Sequence, residues 1–290
     1  MSDSASPQLF FLPRGDGQRL CVYHAAGEST PRGALVYIHP WAEEMNKSRR
    51  MAALQSRALA AAGYSVLQID LKGCGDSSGD FGDATWDSWL DDIADAVEWL
   101  TQRTDAPLWL WSLRAGCLLA SQAAARLARP SAQLYWQPPT SGKAVLQQFL
   151  RLRVAGMLQG GSGKGVLNEL RERLADGEAV DIAGYRLSAN LAHALESATL
   201  APRGIANRLE WIEVSSRDDM ALSTASTDAA QAWRTAGWQV RTHLVNGAPF
   251  WQTTEIEVAP DLLSATVAAI DRETAPDPGN AAVRGLASTC

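Results

Sequence analysis

Hydrophobic positions along the chain follow two rhythms. Short unbroken runs of β-branched and aromatic residues occur at 33–38 (GALVYI), 64–69 (YSVLQI), 107–111 (PLWLW) and 132–136 (AQLYW), as in strands buried on both faces. Helical patterns lie between them. An Ala- and Leu-rich stretch at 51–62 is closed by Gly63, a residue suited to end a helix. Trp86, Trp89, Leu90, Ile93, Val97 and Leu100 recur at helical spacing with Asp87, Asp91, Asp92 and Asp95 on other faces, and 114–127 supplies a third helix. This alternation predicts an α/β fold, a mostly parallel central sheet with right-handed crossovers and helices on both faces. Two earlier runs, 8–12 and 19–24, flank the turn-rich Arg14-Gly15-Asp16-Gly17 and predict an antiparallel hairpin at the sheet edge.

From about 138 to 207 the alternation stops, leaving helical patterns, a Gly-rich stretch at 160–165 and no parallel strand. It resumes with a strand at 209–214, a helix at 224–236, a strand at 239–245 and a helix at 260–272. The expected organisation is one domain over 1–272, with its core at about 8–137 and 208–272 and a helical cap at about 138–207. Residues 273–290 are rich in Pro, Gly and Ala and are expected to be a disordered tail.

Composition narrows the function classes. With 46% hydrophobic and 20% charged residues among 290, the chain is neither disordered, collagenous nor coiled coil. A net charge of −6 gives no general attraction to nucleic acid or to an anionic membrane. The four cysteines, Cys21, Cys74, Cys117 and Cys290, are far apart with no CxxC pair, and the amino terminus lacks the pattern of a secretory signal. No apolar stretch reaches the roughly 18 residues of a membrane span. These features predict a soluble, cytoplasmic protein with free thiols and no metal or cofactor. Gly160-Gly161-Ser162-Gly163-Lys164 lacks the Gly at 158 and the Ser or Thr at 165 of a phosphate loop, and is read as a flexible loop.

In an open α/β sheet, ligands bind beyond the carboxyl ends of the strands. Those turns hold His39-Pro40-Trp41-Ala42-Glu43-Glu44, the run Asp70 to Gly79 (DLKGCGDSSG), and Ser112-Leu113-Arg114-Ala115-Gly116. The D-x-x-G-x-G-x-S-x-G run and the tight turn at 112–116 resemble α/β-hydrolases of the serine aminopeptidase and acyl-esterase type. More narrowly, HPWAEEMNKSRRMAALQSRALAAAGYSVLQIDLKGCGDSSGDFGD, LWSLRAG and WQPPTSGKAVLQQFLRLR are similar to the type 2 branch of the exosortase-A-system-associated hydrolases. That family is named for its association with bacterial exopolysaccharide and PEP-CTERM protein-sorting loci. The resemblance spans about residues 8–270. It implies an α/β-hydrolase fold, an ester, thioester or acyl-modified sugar as substrate, and protein partners from an exopolysaccharide system.

The catalytic residues do not carry over with the motifs. The centre of the elbow, where such enzymes mount serine on a strained strand-to-helix turn, is Arg114. A guanidinium is permanently protonated at neutral pH and offers no lone pair to a carbonyl carbon. The loop where the general base is expected, Val245 to Trp251, contains no histidine, and only the acid position persists, as Asp218 or Asp219. Ser112 occupies a position that close strand–helix packing restricts to small residues. His243 falls inside a strand, His39 is expected to brace a turn, Cys74 and Ser77 have no evident base, and Cys117 reads as a small core residue. Residues expected around the crevice are His39, Trp41, Ala42, Glu43, Glu44 and Trp251, with Trp136 nearby. Arg114 is expected to pair with Glu43, Glu44, Asp218 or Asp219, to capture an acyl carboxylate or anionic sugar, or to fill space against backbone carbonyls. Lys47, Arg49 and Arg50 either bind phosphate or carboxylate groups or form a solvated face paired with Glu43 and Glu44.

Overall fold

The computed structural model describes residues 6–15, 17–27, 30–155, 163–217 and 220–271. An N-terminal hairpin of β1 (Gln8–Arg14) and β2 (Gly17–His24) precedes β3 (Gly33–Ile38), α1 (Glu43–Ala61), β4 (Tyr64–Ile69), α2 (Trp86–Thr101), β5 (Leu108–Leu113), α3 (Gly116–Ala124) and β6 (Ala132–Trp136). The chain then leaves the sheet for α4 (Gly142–Ala155), α5 (Gly163–Ala175), β7 (Val180–Ile182), β8 (Tyr185–Leu187) and α6 (Ala189–Ser197). It returns as β9 (Arg208–Ser215), α7 (Thr224–Thr235), β10 (Gln239–Asn246) and α8 (Pro260–Asp271).

Eight strands form one sheet in the order β1-β2-β4-β3-β5-β6-β9-β10. The hairpin and its junction with β4 are antiparallel, and every other pairing is parallel. The unbroken apolar runs follow from burial on both faces. In β3, Leu35 and Tyr37 join the core beneath α1 and α8, while Ala34, Val36 and Ile38 join the core shared with α2 and α3.

Three sequence expectations change. First, α1 starts at Glu43 rather than near residue 51, because its first turns bury polar Glu44 and Ser48 on the inner face, which hides the apolar period. Second, the third helix spans Gly116–Ala124 rather than 114–127. Third, the segment between β6 and β9 is not wholly helical: β7 and β8 form an antiparallel ribbon joined by Ala183-Gly184. Strands of three residues are too short to show an alternating pattern. The expected tail at 273–290 and the glycines at 160–161 lie outside the described residues, whereas Gly163 and Lys164 open α5 rather than continue a loop.

Candidate functional site

The carboxyl end of β5 is built by close packing. The strand runs through Leu113, two residues beyond the expected end, so Ser112 is a strand residue rather than part of a turn. It is fully buried and its Oγ has no hydrogen-bond partner among the described residues. Arg114 then takes a left-handed conformation, φ +54°, which costs a non-glycine residue free energy and persists where the surroundings enforce it. Here its N–H donates to the Trp136 carbonyl at 2.9 Å, and its own carbonyl accepts from the Cys117 N–H at 2.9 Å. A Cβ added to Gly116 would lie 2.6 Å from the Ile38 carbonyl oxygen. Only glycine lets α3 approach β3 this closely.

The Arg114 side chain turns toward α1 and the insertion. Its Nε donates to Glu44 Oε1 at 3.2 Å, its Nη2 donates to Gln148 Oε1 at 2.9 Å, and Gln148 Nε2 donates to the same Glu44 oxygen at 3.5 Å. Its Cζ lies 5.8 Å from the centroid of the Trp251 ring, within cation–π range. Glu44 is 4% exposed. Burial pushes its carboxyl up to about 7, against the opposing pull of the Arg114 charge. Burial also raises Glu43, with Lys47 and Arg114 opposing. One oxygen of each of these two carboxyls has no hydrogen-bond partner among the described residues.

The other candidates are committed elsewhere. His39 Nδ1–H donates to the Pro40 carbonyl at 2.8 Å, and its Nε2 accepts from the Leu71 N–H at 3.2 Å. Both ring nitrogens are therefore engaged, and desolvation lowers its pKa. The Asp70–Gly79 run is a self-braced turn. Arg49 and the Asp76 N–H both donate to Asp70 Oδ2, at 2.8 and 3.1 Å, and the Ser77 hydroxyl donates to the Asp70 carbonyl. Arg49 thus pairs with Asp70, not with Glu43 or Glu44. Burial holds the Cys74 thiol far above its ordinary range and pushes Cys117 up to about 12, so neither supplies a thiolate at neutral pH. His243 Nε2–H donates to Glu210 Oε2 at 2.6 Å, and Arg208 Nε donates to Glu210 Oε1 at 2.6 Å. Trp41, with its ring against Phe81, Trp89 and Phe149, is almost fully buried. Trp136 belongs to the core rather than the crevice, its indole N–H donating to Thr266 Oγ1 at 3.0 Å. Ala42 precedes α1 at φ +45°. Asp218 and Asp219 lie outside the described residues.

The profile of the X-Pro dipeptidyl-peptidase (S15 family) matches residues 16–143. No curated protein matches the chain. Among solved structures, Est1E from Butyrivibrio proteoclasticus with bound ferulic acid superposes with a TM-score of 0.65 at 14% identity, over 90% of this chain and 97% of that one. A thermostable carboxyl esterase from Bacillus coagulans in complex with glycerol gives 0.62 at 13% identity, over 92% and 98%. XC6422 from Xanthomonas campestris, described as an a/b serine hydrolase without lid, gives 0.56 at 17% identity, over 93% and 97%. This chain has the α/β-hydrolase fold. The left-handed residue between β5 and α3 is Arg114, whose Nε lies 3.2 Å from Glu44 Oε1.

Two partners escaped the sequence reading. Gln148 sits on an insertion helix, where nothing in the local pattern distinguishes it from a surface residue. Glu210 is one of two acids in β9, the other being Glu213, and nothing in the local pattern marks it as the buried one.

Proposed function

We propose that this α/β-hydrolase-fold protein is a non-hydrolytic relative of the exosortase-associated hydrolases. On this reading it acts in the cytoplasm as a binding or scaffold component of a bacterial exopolysaccharide system, with the segment at about 138–207 serving as its cap. The observation that carries the reading is the Arg114–Glu44–Gln148 cluster at the elbow. Serine hydrolysis needs an oxygen nucleophile and a base in contact with it, and Arg114 offers neither. His39 has no free nitrogen, and His243 lies inside β10, bound to Glu210. The ligand class we assign to the crevice is an acyl or anionic sugar carboxylate, which would exchange with Glu44 as the partner of Arg114.

Hydrolysis of p-nitrophenyl esters and thioesters by the full chain tests this directly. Wild type, Arg114→Ser, Ser112→Ala and His243→Ala are all expected to give the uncatalysed rate. Turnover by wild type that any of these variants abolishes would establish the opposite reading, an active acyl hydrolase with an unconventional residue set.

A further inference from the structure

Away from the elbow, α4, α5 and α6 meet around a cavity of about 150 Å³. Each helix turns one stripe toward it. Its floor includes Leu146, Leu150, Leu174 and Ala192, all buried. The opening exists because α5 and α6 supply small residues, Ala175, Ala189 and Ala192, where larger ones would close the junction. The cleft is open to solvent on its charged side, and its volume is about that of a benzene-sized group.

The rim is charged. Lys143, Arg171, His193 and Glu196 line the cavity, and none of their side chains has a hydrogen-bond or ion-pair partner among the described residues. Two basic side chains and an imidazole face one acidic side chain, so the mouth suits an anion while the floor takes an apolar tail. On α4, the Arg114 partner Gln148 lies between the lining residues Gln147 and Leu150 in sequence, but it is not among the residues that line the cavity. The site is therefore separate from the elbow, and its existence does not depend on what the elbow binds.

We propose that this junction is a binding site for a small anionic amphiphile, a carboxylate carrying an apolar group of about five or six carbons, with the tail on Leu146, Leu150 and Leu174 and the head at Lys143 and Arg171. The test is titration of the isotope-labelled full chain with hexanoate, hexan-1-ol and hexylammonium, following backbone amide shifts. Hexanoate is expected to give saturable shifts in α4, α5 and α6. Arg171→Glu should weaken its binding about five- to tenfold. Ala189→Leu, which fills the cavity from a half-buried position, should abolish binding with the thermal midpoint unchanged or raised. The absence of saturable shifts with hexanoate would overturn the proposal, as would shifts confined to residues around Arg114. Binding of hexan-1-ol or hexylammonium as tight as that of hexanoate would overturn the assignment of an anionic ligand.

Discussion

Arg114 answers two demands at one residue: it accepts a left-handed backbone between β5 and α3, and it carries a charge into a nearly closed space. The second demand falls on Glu44. Its folded pKa of about 7 lies above the ordinary value of 4.5, so between those pH values the folded chain binds a proton that the unfolded chain has released. Stability must then fall as pH rises through that window. Denaturant titrations at pH 5 and pH 8 should show wild type losing about 2 kcal/mol relative to Glu44→Gln over this interval; equal slopes would show that Glu44 is ionised throughout. The sequence made Arg114 legible as an anomaly, because a motif fixed what its neighbours should be. It did not choose among Glu43, Glu44, Asp218 and Asp219, since proximity to two adjacent acids and one distant pair depends on side-chain direction rather than on spacing.

At the level of elements, the elbow is set by how closely α3 can approach β3. Gly116 makes that approach possible, and Ala in its place would push a methyl group against the Ile38 and His39 carbonyls. Gly116→Ala should lower unfolding free energy by about 2 kcal/mol or more, measured by urea denaturation; a change within about 0.5 kcal/mol would mean that α3 shifts freely. Gly75 serves the neighbouring turn in the same way. At φ +55° its missing Cβ leaves room for Asp70 Oδ2 and the Arg49 guanidinium, which accounts for the second glycine of the D-x-x-G-x-G run. Strands buried on both faces were the easiest elements to read, and β3, β4 and β6 fall at their expected limits. The start of α1 and the β7–β8 ribbon were hidden, the first by a polar buried face and the second by brevity.

Across the whole molecule, charge is used to join layers as well as to close the elbow. Fully buried Glu210 on β9 receives Arg208 from its own strand and His243 from β10, and Arg208 also donates to the Ile270 carbonyl at the end of α8. His243→Ala should therefore cost about 1 kcal/mol of global stability, read from thermal or urea unfolding. The mostly parallel character of the sheet followed from the strand and helix alternation, whereas its strand order did not. Placement of these charged clusters did not, because each joins residues far apart in sequence. Among the described residues no helix is long and apolar enough to cross a membrane. The central claim, that this hydrolase frame has no activated nucleophile, is tested most directly by intact-protein mass spectrometry after exposure to a fluorophosphonate at neutral pH. Unmodified mass for both wild type and Arg114→Ser is the expected result, and a stoichiometric adduct mapped to Ser112, Ser77 or any other residue of the crevice would contradict it.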